Sequence, residues 1–188
     1  MTAAVLEIPE VRQRLSPLTV EEYHRLDEYN ERGRRTELIR GLVIEKMSKS
    51  PLHRVITSRL YRLLLPQVPK GLSLWMEQPL TFQDSEPEPD ISITRGEEGD
   101  YKTKHPASAL LVVEVAVTSP ALDRANASLY AEAGVAEYWI VLAAERRVEV
   151  YRRPEGGHYQ EMQVRGTDEP LECASLPGVR VNLSELFA

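Results

Sequence analysis

The chain has 188 residues, a formal net charge of −6 and one cysteine, Cys173. A hydrophobic fraction of 42% with 28% charged residues is far from a disordered composition, and the length suits one domain with a sizeable core. One cysteine excludes an internal disulfide framework, no apolar run could span a bilayer, and the N-terminus lacks the pattern of a secretory signal. We therefore expect a cytoplasmic single domain over 1–188, with a core at about 18–151 and a C-terminal extension at 152–188.

Basic residues concentrate in one segment, although the chain as a whole is acidic. The negative net charge argues against indiscriminate binding to nucleic acid, because phosphate neutralisation drives such binding. The segment holds ten basic residues against only Glu37 and Glu45, a local charge of about +8. The ten are Arg32, Arg34, Arg35, Arg40, Lys46, Lys49, Arg54, Arg59, Arg62 and Lys70. Such segregation suits a polyanion, although a solvated surface is the commoner explanation.

Helix and hairpin signals alternate in the first half of the chain. Thr19 and Glu22 have the spacing of a capping box, which predicts a helix after Thr19. Apolar segments on either side of Gly41 predict a tight hairpin, and apolar residues at helical spacing after Pro51 predict an amphipathic helix. The predicted elements are a helix at 20–30, strands at 37–39 and 42–45, a helix from 51, and strands at 72–78 and 91–94.

The second half of the chain predicts a strand–helix–strand unit. The segment 109–117 is continuously apolar except for Glu114, as expected for a central strand that is covered on both faces. Ser119 followed by Pro120 predicts the N-cap and first position of a helix, which Gly134 ends. Further strands are expected at 137–142, 147–151 and 158–164. A helical crossover implies a parallel strand pair, so the sequence predicts an α/β fold with a mixed β-sheet flanked by helices.

Glu114 needs an explanation, because an ionised carboxylate in an apolar strand costs several kcal/mol unless a cation compensates it. A second acid, Asp90, opens another predicted strand directly after Pro89. Two carboxylates that converge at adjacent strand ends form a hard oxygen site suited to Mg²⁺ or Mn²⁺. A metal ion there can polarise a phosphodiester and activate a water. The spacing is equally compatible with an alternative, in which Glu114 pairs with an arginine and Asp90 caps a turn.

Three stretches carry a resemblance to a known family. They are Glu-Pro-Asp-Ile-Ser-Ile at 88–93, Leu-Val-Val-Glu-Val at 111–115, and 130–141, which begins Tyr-Ala-Glu-Ala-Gly-Val-Ala-Glu-Tyr-Trp. Together with 36–41 and 50–53, they resemble the bacterial Uma-two family of putative restriction endonucleases, of the PD-(D/E)XK nuclease superfamily. The likeness covers about 18–151, and the stretch at 130–141 is its most specific part. It implies a restriction-endonuclease-like core and a Mg²⁺- or Mn²⁺-dependent endonuclease that acts on DNA.

The resemblance also implies roles for individual residues. Asp90 and Glu114 are expected to bind the metal, with the main-chain carbonyl of Val115 as a further ligand. Glu37 is expected to act as an accessory acid near the metal. His53 falls in a family motif at the start of a helix, where a histidine is more often structural than catalytic.

One residue departs from the family pattern. The family's lysine is expected four residues before Tyr130, and this chain has Asn126 there. Asn126 can orient a water but supplies no positive charge, so catalysis is expected to be slow or absent unless another cation substitutes. Arg124 is the nearest candidate, although two positions along a helix turn it away from Asn126. Asp123 and Tyr130 share a helix face with Asn126, and Tyr130 is better explained as a core residue.

Two functions follow as hypotheses. The first is a metal-dependent DNA endonuclease in which Asn126 positions water and three arginines, Arg54, Arg59 and Arg62, contact phosphates. His53 is expected to join these arginines in binding the nucleic acid. By analogy with enzymes that cut both strands, such a nuclease is expected to be a homodimer. The second is a catalytically lapsed member that acts as a DNA-binding or protein-interaction module. Asn126 and the negative net charge favour the second hypothesis.

Overall fold

The computed structural model describes residues 7–27, 33–46 and 48–188, which form two compact units. One unit lies within 1–46 and 83–87, and the other within 47–82 and 88–188. In these described ranges no helix is long and apolar enough to cross a membrane. The expectation of a single domain over 1–188 stays a prediction.

The first unit contains two helices and a β-hairpin. Thr19 N donates to Glu22 Oε2 at 2.8 Å and Glu22 N donates to Thr19 Oγ1 at 3.2 Å, which confirms the capping box. Arg40 (φ 50°) and Gly41 (φ 73°) form the hairpin turn, and a Cβ on Gly41 would lie 2.3 Å from Pro17 Cβ. Glycine is therefore required there. The elements are α1 (Pro9–Arg12), α2 (Val20–Asp27), β1 (Thr36–Ile39) and β2 (Leu42–Glu45). Residues 28–30 of the predicted helix, and Arg32, lie outside the described residues.

The second unit is built on a six-stranded mixed sheet with the strand order β3-β4-β5-β6-β7-β8. The strands are β3 (Leu72–Met76), β4 (Ile91–Arg95), β5 (Leu111–Ala116), β6 (Glu137–Leu142), β7 (Arg147–Glu155) and β8 (His158–Arg165). The pair β5–β6 is parallel and the other four neighbouring pairs are antiparallel. This confirms the predicted mixed sheet and the central position of the apolar strand.

Helices cover both faces of this sheet, as predicted. Val113 and Val115 of β5 belong to the same buried cluster as Leu60 of the helix α3, which spans Pro51–Leu64. Val112 belongs to a second cluster, together with Tyr130 of the helix α4, which spans Ala121–Glu132. The second unit also contains α3 (Pro51–Leu64), α4 (Ala121–Glu132), β9 (Pro170–Glu172), β10 (Arg180–Asn182), α5 (Leu183–Leu186) and two 3₁₀ turns at Leu65–Gln67 and Glu98–Tyr101. Because side chains alternate along a strand, Glu114 lies on the α4 face with Val112.

The start of α4 differs from the prediction by one residue. Pro120 occupies the N-cap with φ −85° and ψ 11°, and the helix begins at Ala121 without a side-chain capping bond. Ser119 is exposed and is not the N-cap residue. The predicted helix end is confirmed, because Gly134 follows the helix at φ 71°, a left-handed conformation that glycine adopts without strain.

Candidate active site

The register of the sheet brings Asp90 and Glu114 together. The last pair in the β4–β5 ladder joins Ile91 to Val113, so Asp90 and Glu114 come next along the two strands. Asp90 N lies 3.3 Å from Glu114 Oε2, to which it donates, and Val115 N donates to Asp90 Oδ2 at 2.8 Å. Asp90 is only 4% exposed. Two carboxylates from neighbouring strands therefore share one small region beside the β5 backbone.

Two side chains, Lys49 and His53, converge on Asp90 from outside the sheet. Lys49 Nζ lies 2.6 Å from Asp90 Oδ1 and 2.9 Å from Glu77 Oε1, so the ammonium bridges two carboxylates. His53 Nε2 lies 3.0 Å from the other oxygen, Asp90 Oδ2. Both Asp90 oxygens thus have defined partners, and the carboxylate is fixed in position.

These partners decide the charge states of the site. Burial raises the pKa of Asp90, but the hydrogen bond from His53 and the charge of Lys49 outweigh it and hold the pKa below its ordinary value. Burial likewise lowers the pKa of Lys49, and the carboxylates of Asp90 and Glu77 reverse that effect and leave it raised. The site at neutral pH therefore contains an Asp90 carboxylate and a Lys49 ammonium.

The N-terminus of α3 explains why Lys49 and His53 reach Asp90. Ser50 is the N-cap in an extended conformation, and its side chain accepts a hydrogen bond from His53 N at 3.2 Å. Pro51 follows at the first helical position, where its missing N–H costs nothing. Lys49 thus immediately precedes the cap and His53 lies in the first turn. The positive end of a helix also favours a nearby carboxylate such as Asp90.

Glu77 has a backbone conformation that is unusual for its residue type. It follows β3 with φ 55°, in the left-handed region that non-glycine residues occupy at a cost of about 1–2 kcal/mol. Its N–H donates to Asp90 O at 3.2 Å while its carboxylate contacts Lys49. Strained residues of this kind concentrate at functional sites, where the surrounding structure holds them.

Tyr130 and Asn126 lie on the buried face of α4 that packs on Glu114. Tyr130 is fully buried, in agreement with the core assignment, and its hydroxyl donates to Glu114 Oε1 at 2.8 Å. Asn126 is one turn earlier on the same face and is 6% exposed. A lysine side chain at position 126 would therefore reach the site from the Glu114 side, whereas the Lys49 side chain reaches it from the Asp90 side.

The remaining predicted basic residues have separate surroundings. Arg124 donates from Nε to both Glu149 oxygens at 3.1 Å, so its guanidinium is committed to β7 and does not substitute for a lysine at Asn126. Arg59 Nη1 donates to the carbonyls of Leu186 and Ala188 at the C-terminus. Arg54 and Arg62 are exposed. The phosphate contacts predicted for Arg54, Arg59 and Arg62 stay predictions.

Glu37 belongs to the first unit, where it lies on β1. Its Oε2 atom is 3.7 Å from Lys46 Nζ. The predicted role as an accessory acid stays a prediction.

Lys49 and Glu77 are the site residues that the sequence did not single out. Lys49 appeared only as one of ten basic residues, because nothing in the local pattern separates it from its neighbours. Glu77 has no motif spacing to Asp90 or Glu114. The one available signal was an acid near the end of the strand predicted at 72–78.

The donor set fits one class of metal. Within 7–27, 33–46 and 48–188, no three His, Cys, Asp or Glu side chains form a group that could hold a metal ion. Asp90 and Glu114 therefore offer a two-carboxylate site, which suits Mg²⁺ because this ion commonly binds one or two carboxylates and takes its other oxygens from water and substrate. It does not suit zinc, which takes three or four nitrogen, sulfur or carboxylate ligands from the protein.

Comparison with known proteins gives a family and a fold. The family model described as Uma2, putative restriction endonuclease, matches residues 20–184. A crystal structure of a putative nuclease belonging to DUF820 from Anabaena variabilis ATCC 29413 superposes with a TM-score of 0.76 at 23% sequence identity. The match covers 91% of this chain and 98% of that one. No curated protein matches.

Proposed function

Since this chain belongs to the Uma2 family of putative restriction endonucleases, we propose that it is a divalent-metal-dependent endonuclease that hydrolyses phosphodiester bonds in DNA. The observation that carries the proposal is the meeting of Asp90 and Glu114 beside the central strand, with 3.3 Å between Asp90 N and Glu114 Oε2.

Asp90 and Glu114 are the residues that would hold the metal, with the main-chain carbonyl of Val115 as a further oxygen. A bound Mg²⁺ or Mn²⁺ supplies Lewis acidity, which polarises the phosphodiester and lowers the pKa of the attacking water. His53 fixes the orientation of the Asp90 carboxylate, and Tyr130 does the same for Glu114. Asn126 orients the water with its amide, and Glu37 is an accessory acid.

The reaction is a hydrolysis. The water oxygen forms a bond to phosphorus and the bond between phosphorus and one ester oxygen breaks. One water proton ends on the released ester oxygen, which becomes a hydroxyl group. The other proton leaves to solvent, and a phosphate monoester remains with one more negative charge than the diester.

DNA binding is assigned to the exposed arginines of α3, Arg54 and Arg62, which lie on the helix that carries His53 in its first turn. Arg59 is left out of this set because its guanidinium is bound to the C-terminal carbonyls. The overall charge of −6 makes binding weak and strongly dependent on salt. A homodimer would present two sites to the two strands of a duplex.

Supercoiled plasmid is the substrate that tests the proposal. Wild type is expected to convert it to nicked and linear forms with Mg²⁺ or Mn²⁺ and not with EDTA. Asp90→Asn and Glu114→Gln, which keep side-chain size, are expected to lower the rate by at least about 1,000-fold. Glu161→Gln is the matched control, because that exposed glutamate lies on β8 and pairs with Arg153 at the surface.

The second candidate function is a lapsed nuclease that binds DNA or another protein. The absence of a lysine at Asn126 favours it. Plasmid cleavage that disappears in Asp90→Asn decides for the enzyme. Salt-sensitive DNA binding without cleavage, in wild type and Asp90→Asn alike, decides for the binding module.

A further inference from the structure

We propose that Lys49 is a catalytic residue, which supplies at the reacting phosphate the positive charge that Asn126 cannot supply. The inference rests on the proposed nuclease function and deepens it. It assigns to a residue before α3 a task that the family resemblance places on the helix after β5.

The position of Lys49 is the first argument. Its ammonium lies 2.6 Å from Asp90 Oδ1, on the side of this carboxylate away from the Val115 backbone. Any phosphate that shares a metal ion with Asp90 comes close to that ammonium. The Lys49 side chain is 14% exposed, so it is held by its surroundings and still borders solvent.

The donor capacity of Lys49 is the second argument. An ammonium group has three N–H donors. The contacts with Asp90 and Glu77 account for two of them. A third N–H can donate to a non-bridging phosphate oxygen or to the attacking water, without proton transfer from the lysine. The bonds formed and broken are those of the hydrolysis described above.

The other cations are committed elsewhere, which is the third argument. In the part of the chain that the structure describes, Lys49 is the one lysine or arginine whose side chain pairs with Asp90, and His53 is the other basic residue in contact with it. Arg124 is bound to Glu149 through both carboxylate oxygens. His53 Nε2 is directed at Asp90 and its Nδ1 lies 3.4 Å from Thr57 Oγ1, so both ring nitrogens have partners.

Glu77 has the role of a positioning residue in this arrangement. Its carboxylate lies 2.9 Å from Lys49 Nζ, and its left-handed backbone (φ 55°) directs it there from the end of β3. It acts on the reaction through Lys49. Glu77→Gln keeps the side-chain length and removes the charge that holds the ammonium.

The test compares Lys49→Met with the double variant Lys49→Met/Asn126→Lys, using plasmid cleavage and calorimetric titration of Mn²⁺. We expect Lys49→Met to lower kcat by about 100-fold with KM for DNA within about threefold, and to leave Mn²⁺ affinity equal or higher. The double variant is expected to regain at least about tenfold, whereas Asn126→Lys alone gains only a few-fold because wild type already has its lysine. Glu77→Gln is expected to lose about tenfold in kcat alone. Lys70→Met is the matched control, because Lys70 is an exposed lysine of the same basic segment.

Each other outcome overturns the inference in a distinguishable way. Undiminished or faster cleavage by Lys49→Met, with tighter Mn²⁺ binding, means that the ammonium only fills the space of the metal. If Lys49→Met loses both Mn²⁺ binding and cleavage, Lys49 has a structural role. Lys49→Arg checks this outcome: the inference predicts that it folds and retains about a tenth of kcat, whereas a structural role predicts that it too binds no Mn²⁺. Absence of cleavage in wild type and in Asn126→Lys alike rejects the nuclease function, and Lys49 as its catalytic residue with it.

Discussion

Two polar clusters interrupt the apolar sheet, one around Glu137 of β6 and one around Asp90 and Glu114. Glu137 is fully buried and accepts hydrogen bonds from Trp139 Nε1 at 2.8 Å, Arg152 Nε at 2.9 Å and Ser175 N at 3.0 Å. Its single charge is matched by the single charge of Arg152. In the Asp90–Glu114 cluster, by contrast, Asp90 and Glu77 both contact Lys49, and Glu114 lies beside Asp90.

The difference shows that a buried carboxylate does not by itself mark a reactive site. Glu137 is more deeply buried than Asp90, yet fixed donors and one arginine balance it. Glu149 repeats that pattern with Arg124 and the Tyr151 hydroxyl. What distinguishes Asp90 and Glu114 is that neighbouring strands bring two carboxylates into one small region, whereas Glu137 and Glu149 each stand beside one arginine.

The Glu137 cluster gives the largest expected effect on stability. Glu137→Gln replaces one carboxylate oxygen by an NH₂ group, which would then face the N–H donors that now bind Glu137. It also leaves the Arg152 guanidinium without its carboxylate partner. We expect the free energy of unfolding to fall by about 3 kcal/mol, the usual result of breaking a buried ion pair, and cleavage per folded molecule to stay unchanged. Urea denaturation measures this. Glu161→Gln, at the exposed pair with Arg153, is the control. If Glu137→Gln lowers the free energy of unfolding by less than about 1 kcal/mol, and no more than Glu161→Gln does, Glu137 does not stabilise the fold as we infer.

Arg124→Ala is expected to have a smaller effect that depends on pH. The hydrogen bond from Arg124 is the main reason why the pKa of Glu149 lies below its ordinary value of 4.5. A carboxyl group whose pKa is lowered by folding contributes stability above its unfolded pKa and loses it as pH falls through the folded pKa. Wild type should thus be more stable to urea than Arg124→Ala at pH 7, by less than the Glu137 effect because Arg124 is half exposed.

Unfolding curves at pH 7 and at about pH 3 measure the Arg124 effect. The two proteins should converge in acid and should cut DNA at equal rates at pH 7. A difference that persists at low pH would mean that Arg124 stabilises α4 by packing. A loss of cleavage would return Arg124 to the candidate site.

The sequence predicted the sheet and the two carboxylates because both leave local signals. The apolar run at 109–117 is long enough to indicate a central strand, and Glu114 is its one exception. Asp90 was accessible through its position at the start of a strand. Gly41, Gly134 and the capping box likewise act within a few residues of themselves, so their predictions were confirmed.

Lys49 and Glu77 could not be predicted in the same way, because their roles depend on contacts across 41 residues to Asp90 and across 28 between themselves. The commitment of Arg124 to Glu149, 25 residues away, has the same origin. The sequence also could not show that Glu137 and Glu149 differ from Glu114 in having an arginine partner. Arg152 and Ser175 contact Glu137, and Arg124 contacts Glu149, only in the folded chain.

Titration of Mn²⁺ into metal-free protein by calorimetry tests the central claim most directly, because it asks only whether Asp90 and Glu114 form a metal site. Wild type and Glu161→Gln are expected to bind Mn²⁺ with equal affinity. Asp90→Asn and Glu114→Gln are expected to lose that binding. Without metal, Asp90→Asn should also unfold at a lower temperature than wild type, because the lowered pKa of Asp90 means that its charged form, paired with Lys49, stabilises the fold. Equal Mn²⁺ affinity in all four proteins, or none in wild type, would contradict the account.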